Sequence, residues 1–388
     1  MNIQQFELYS PTKILFGESI SKKAGEIIQA QGIKKVLVVT DPGVAKAKLL
    51  DGILPSLDNA GLKYDIFSEV GHEATLRQVL KGLETQKKLG GEMILSVGGG
   101  SVMDTAKGIG CLATNPGPLQ NYEGPEKYDI PPIPTIAVPT TAGTGSEVSF
   151  GAVVFDEERE YKFSFRNSMQ IPKIALLDPT LLSTTPPWLA ASAGLDAFSH
   201  AVEAYVSKWS NFMTDAYCRQ NFYLVGKYLR RFVADPSDME AASGMLIASS
   251  LGSMAFNVAR LGLIHAMAHP LGAHFNLSHG LACALLMPHV IRFNLIACPE
   301  KYLDVAVDLE GTPKSGLFLE KAHSAIGAVE RLMHDIDIHS DFSSYDITDE
   351  LISKIADETL SSGMQLTNPR VTGKSDVVKI FQKLFEVK

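Results

Sequence analysis

The 388 residues are enough for two or three domains of ordinary size. Apolar residues make up 45% and charged ones 20%, which leaves ample material for a core. A net charge of −8, with Lys and Arg scattered rather than blocked, excludes a basic nucleic-acid footprint.

The opening MNIQQFELYSPTKILFG lacks the basic start and long apolar run of a secretory leader. Helix-length patterns at 19–31, 44–59 and 75–89 then lie between β-branched or apolar runs. KKVLVVT (34–40) ends at Asp41 and a Pro-Gly turn. LKYDIFSEV (62–70) follows, and MILSV (93–97) stops at three glycines. TIAVPTT (135–141) and KIALLD (173–178) are the later strands. Strands separated by helix-length segments imply a parallel α/β sheet. The pattern changes at DPTLLSTTPPW (178–188), a Pro-rich hinge around 179–187. Beyond it, helical periods dominate: 189–207, 213–232, 238–259, 281–295, 301–308, 316–334, 348–360 and 375–386. The expected domains are an α/β domain over 1–183 and an all-helical domain over 184–388. Residues 241–259 carry no charge, but four serines, two glycines and an asparagine dilute them, so a buried core helix is expected rather than a membrane span. Four cysteines, far apart and without a CxxC pair, fit a reducing compartment, and the expected location is the cytoplasm.

Two loops have the composition of phosphate cradles. In SVGGGSVMDTAKGIG (96–110) a strand runs through three glycines into a helix, whose first amides form a ready anion site. A tight turn without a ligand needs the same glycines, but VPTTAGTGSEVS (138–149) repeats the arrangement after another strand. Ligands gather at the carboxyl ends of strands in such sheets. Asp41 ends the 34–40 strand, where an acid accepts hydrogen bonds from ribose hydroxyls and repels a 2′-phosphate. It precedes the glycines by nearly sixty residues instead of following them by about twenty, so a plain Asp-Pro-Gly turn explains it equally well.

The helical half holds a metal-ligand pattern. Asp196 and His200 are four apart, with Glu203 three further on, so all three share a helix face. His265 and His269 repeat the spacing, and His279 follows after Pro270 and a glycine break that can fold the chain back. A carboxylate and several imidazoles suit a divalent transition metal, and three or four of them suffice, so spacing alone does not choose among them. No cysteine lies in either segment, which argues against a thiolate site. His323, His334 and His339 lie in polar contexts and read as surface residues. A Lewis-acidic metal with a nicotinamide describes alcohol oxidation and aldehyde reduction. A metal-dependent hydrolase or lyase of a phosphate-bearing substrate would use the same loops without a redox step.

GGGSVMDTAK (98–107), PTTAGTGSEVS (139–149), GLDAFSHAVEAYVS (194–207) and HAMAHPLGAHFNLSHG (265–280) resemble the signature blocks of the iron-containing, or group III, alcohol dehydrogenases. The likeness runs from ILFG (14–17) to NPR (368–370), nearly the whole chain. It implies a Rossmann-like α/β domain beside an all-α domain, with the active site in the interdomain cleft. It implies NAD, Fe2+ or alternatively Zn2+, a small alcohol or aldehyde as substrate, and a homodimer or larger homo-oligomer. By resemblance Asp196, His200, His265 and His279 hold the metal, and His269 lies beside it near the nicotinamide as the catalytic histidine. Gly98, Gly99, Ser101 and Asp104 line the pyrophosphate. Thr140, Thr141, Thr144 and Lys162 contact the cofactor, and Asp41 falls on the acid that goes with NAD preference. The chain departs from the family at His72-Glu73-Ala74-Thr75, where many members carry Pro-Asn-Pro-Thr. It departs again at Ser278, where Pro is frequent, at His274, where an aromatic residue is common, and at Arg260. Arg260 lies five residues before His265, about one and a half helical turns, and a cation there can hold a substrate carboxylate. The substrate it would select is a small hydroxy acid or semialdehyde; the alternative is that Arg260 pairs with a structural carboxylate of the protein itself.

Overall fold

The computed structural model describes residues 5–311, 318–339 and 341–386. The chain forms two compact units that divide at Thr184–Thr185. The described residues as far as Leu8 group with the second unit, not with the first as expected. They form neither helix nor strand, so no local pattern ties them to the sheet.

The unit Tyr9–Thr184 runs β1 (Lys13–Phe16), α1 (Ala24–Gln29), β2 (Lys35–Val39), α2 (Pro42–Lys46), α3 (Leu54–Asn59), β3 (Lys63–Phe67), α4 (Leu76–Leu89), β4 (Met93–Gly98), α5 (Gly100–Thr114), β5 (Gly124–Pro125), β6 (Thr135–Pro139), β7 (Gly151–Asp156), β8 (Tyr161–Arg166) and β9 (Ile174–Leu177). Six strands form one sheet in the order β1-β9-β6-β4-β2-β3, with every pairing parallel. β4 and β6 are buried at every position, as near-continuous apolar runs in a sheet covered on both faces should be. All five expected strands belong to this sheet. The sequence reading lacks two features: β1 as an edge strand, and the antiparallel pair β7–β8, which joins β5 in a small second sheet. The helix expected over 44–59 is two short ones, because Lys48 takes a positive φ of 59° and breaks the run.

The second unit continues with α6 (Pro187–Val206), α7 (Phe212–Ala234), α8 (Met239–Ala259), α9 (Leu263–Phe275), α10 (His279–Asn294), α11 (Pro299–Glu310), α12 (Phe318–Asp335), α13 (Asp349–Ser361) and α14 (Lys374–Glu386). Among the described residues it contains no strand. Residues 316 and 317, the expected start of α12, lie outside the described residues. α6 starts on Pro187, which suits a first helical turn, and is buried from Leu195 to Val206. α7 is closed by a capping box of Asn211 and Thr214, and α8 by Asp238. α8, the uncharged stretch, is long and apolar enough to cross a membrane, and 67% of its most apolar window is buried within the protein. α9 runs straight through Pro270, and the expected break comes later, at Asn276 (φ 51°). There Asn supplies the left-handed cap and the Leu277 amide returns to Gly272 O at 3.1 Å.

Candidate metal centre and nucleotide loops

α6 projects Asp196 and His200 from one face, α9 brings His265, and the first residue of α10 is His279. One donor atom from each of the four lies within 4.8 Å of the others. Asp196 Oδ1 stands 3.7 Å from His200 Nε2, 3.8 Å from His265 Nε2 and 3.6 Å from His279 Nε2. Three of the residues are buried, while the His279 side chain is 40% exposed and opens the cluster on one side. Asp196 Oδ1 and His265 Nε2 are buried without a hydrogen-bond partner from the protein, a costly state unless something else satisfies them. Burial, reinforced by the His200 and His269 rings, holds the His265 pKa well below its ordinary value, so its imidazole is neutral and offers a lone pair. One carboxylate oxygen and three imidazole nitrogens fit a divalent transition metal.

His269, one turn along α9 from His265, packs its ring 5.5 Å from that of His279. Glu203, one turn beyond His200, is buried against His265 Nδ1 at 2.7 Å. Cys283 adds a thiol at the edge of the cluster, and burial pushes its pKa well above the ordinary value, which disfavours a thiolate. It is one turn along α10 from His279, and its Sγ lies 3.7 Å from His279 Nε2. The i, i+4 spacing of the histidine pairs holds between His279 and Cys283 too. His274 pairs with Glu358 at 2.9 Å, and His323, His334 and His339 are exposed. Arg260 differs from its expected setting. The helix ends at Ala259, so Arg260 and His265 do not share a continuous helix. Its guanidinium donates to Asn257 O at 3.0 Å and lies 5.6 Å over the Trp209 ring.

The nucleotide-type loops belong to the first unit. β2 and β4 are adjacent, with Val39 beside Ser96, so Asp41 and Gly98 leave neighbouring strand ends despite their separation in sequence. From β2 the chain moves outward to β3, and from β4 it moves the other way to β6. Such a reversal is the point where open α/β sheets bind ligands. Asp41 Oδ1 caps α2 by accepting the Gly43 and Val44 amides at 2.7 and 2.9 Å. Gly99 is the N-cap of α5 and contributes no side-chain cap, leaving the first-turn amides to another acceptor. A Cβ on Gly100 would stand 2.7 Å from Thr144 Cγ2, and one on Gly99 3.1 Å from Thr141 Oγ1, so the two loops meet backbone to side chain. Thr140 is buried and its amide donates to Gly98 O at 3.1 Å. Ser101 is half-buried at the helix start.

Two residues of this group are already engaged. Asp104 accepts from Ser146 Oγ at 2.8 Å and from the Val153 amide at 2.9 Å. Lys107 Nζ, beside it, donates to Ser146 O, Ser146 Oγ, Ser149 Oγ and Gly151 O. Together they fasten the 146–153 segment to α5. Lys162 Nζ pairs with Glu73, one of the departures from the family pattern.

A dinucleotide-type sheet and a helical unit with an acid-and-imidazole centre are the parts of a metal-dependent enzyme that uses a nucleotide cofactor. Comparison with known proteins is specific. The family profile described as iron-containing alcohol dehydrogenase matches residues 11–179, and that for the C-terminal part of the Fe-containing alcohol dehydrogenase family matches 190–385. The chain belongs to the iron-containing alcohol dehydrogenase family, whose members interconvert alcohols and aldehydes with NAD(H) and a metal ion. It is 39% identical to a 1,3-propanediol dehydrogenase of Klebsiella pneumoniae, over 99% of this chain and 100% of the relative. It is 35% identical to an NAD-dependent methanol dehydrogenase of Bacillus methanolicus, over 96% and 98%. A crystal structure of 1,3-propanediol oxidoreductase superposes with a TM-score of 0.95 at 38% identity, covering 98% of this chain and all of the other. None of these supports the hydrolase alternative.

Proposed function

We propose that the chain oxidises a small primary alcohol to its aldehyde, and catalyses the reverse, with the metal held by Asp196, His200, His265 and His279. The observation that carries this is the gathering of four donor atoms within 4.8 Å, two of them buried without a protein partner. Iron accords with the family's description, and three nitrogens with one oxygen suit zinc as well. When bound, the ion supplies Lewis acidity at the substrate oxygen and the nicotinamide takes up or gives hydride. The protein's own part is to position and to move a proton. His269, beside His279 and partly exposed, passes the alcohol proton toward solvent.

Gly98, Gly99 and Ser101 present the start of α5 to the pyrophosphate, bordered by Thr140, Thr141 and Thr144. Asp104 contributes indirectly, by holding the second loop in place. Asp41 reads the ribose hydroxyls and favours NAD over a 2′-phosphorylated cofactor, and Lys162 completes the cofactor contacts. The 1,3-propanediol and methanol in the names of two relatives support a neutral substrate. A second reading gives Arg260 a substrate carboxylate to hold, as in a hydroxy acid or semialdehyde. One observation favours it: Arg260 has φ 69° and ψ 167°, a region suited almost only to glycine, and such strain gathers at functional positions. We place the enzyme in the cytoplasm as a homodimer or larger assembly, with neither nucleic acid nor membrane as a partner. An absorbance assay for NADH with methanol, 1,3-propanediol and ω-hydroxy acids tests the substrate class. No NADH with any primary alcohol would overturn it.

A further inference from the structure

Gly262 is the N-cap of α9 and has no side chain to satisfy the amides of the first turn. A carboxylate from a different helix does so. Glu203 Oε2 accepts from the Gly262 amide at 2.8 Å, and Oε1 accepts from the Ile264 amide at 2.5 Å. The His265 amide approaches Oε2 at 3.4 Å. The fit is close, for a Cβ on Gly262 would stand 3.0 Å from Oε1.

The same Oε2 lies 2.7 Å from His265 Nδ1. Oxygens that already receive backbone N–H groups act as acceptors, so the ring nitrogen facing them carries the proton. With Nδ1 protonated, the neutral ring has its lone pair on Nε2. That is the buried atom without a protein partner, 3.8 Å from Asp196 Oδ1. His200 is the contrast: its Nδ1 is buried with no hydrogen-bond partner from the protein.

We propose that Glu203 is the positioning residue of the metal centre. It fixes His265 as the Nδ1–H tautomer and docks the first turn of α9 onto α6, which carries Asp196 and His200. The inference rests on the reading that these residues hold a metal. A cap alone would stabilise α9 without affecting affinity, whereas a carboxylate behind a ligand imidazole typically changes metal affinity by about 10–100-fold.

Glu203→Gln keeps the shape but turns one oxygen into a donor facing N–H groups. Titration of metal-free wild type and variant with Co2+, against a competing chelator, should show about 10–100-fold weaker binding in the variant, with NAD binding unchanged. Long-range 1H–15N correlation on histidine-labelled, metal-free wild type should show His265 protonated on Nδ1. Equal cobalt affinity with only a lower Tm would reduce Glu203 to a cap and overturn the proposal, as would an Nε2–H ring in the wild type. The second reading needs no variant, so it decides the matter even if the substitution prevents folding. Wild type that takes up no cobalt, yet shows the Nδ1–H ring, would refute the metal reading instead.

Discussion

Glu73 and Lys162 form an ion pair across two segments of the first unit, joining the loop before α4 to strand β8. The Phe155 amide donates to Ala74 O at 2.9 Å beside it, so the loop is stitched to the β7–β8 pair. Lys162 is among the proposed cofactor contacts, and its ammonium must exchange Glu73 for the cofactor to serve there. Glu73→Gln should therefore lower the KM for NAD, by up to about fivefold since a half-exposed pair contributes roughly 0.2–1 kcal/mol. An unchanged or higher KM would remove Lys162 from the cofactor contacts.

Gly100→Ala should act in the opposite direction. Its Cβ would enter the space of Thr144 and push the two loops apart. We expect the KM for NAD to rise about tenfold or more, equivalent to at least about 1.4 kcal/mol, while metal content stays at the wild-type level. A variant that binds NAD normally would dissociate this loop contact from cofactor binding.

Arg260→Met separates the two substrate readings. If the cation holds a carboxylate, the KM for an ω-hydroxy acid rises much more than that for a neutral alcohol of similar length. Equal effects would assign Arg260 to the end of α8, with Asn257 O and Trp209 as its partners.

Acid should weaken the helical unit through His289. Burial, with help from Arg292 and Lys383, lowers its pKa from 6.5 to about 4, and its buried Nδ1 has no protein partner. Between these values the unfolded chain binds the proton and the folded one does not, so stability falls as pH drops from 6.5 toward 4. His289→Gln should flatten that part of the stability profile, measured by urea unfolding of the metal-free protein. An unchanged slope would place the acid sensitivity elsewhere.

Particular residues show how far the sequence can be read. β4 and β6 are legible because both faces are covered and the apolar run is unbroken. β7 alternates buried with partly or fully exposed positions over one short strand, a weaker signal beside a charged turn. Asp196 and His200 are legible by helical spacing, but the addition of His265 and His279 is a matter of packing between helices. Asp41 was ambiguous because the adjacency of β2 and β4 is not a local property. Glu203 stood on the right face of α6, but its partners are amides sixty residues away, which side-chain patterns do not reveal. Cys283 lies three residues beyond the HAMAHPLGAHFNLSHG block, one turn into α10, and only the helix that starts at His279 brings its sulfur to that ring.

The central claim is tested most directly by metal analysis of anaerobically purified wild type and His265→Ala, together with alcohol-dependent NADH formation before and after chelation. One equivalent of iron or zinc per wild-type chain is expected, with turnover abolished by chelation and restored by the metal. The variant should lose both metal and turnover while still binding NAD. Full metal content and full activity in His265→Ala would contradict the account.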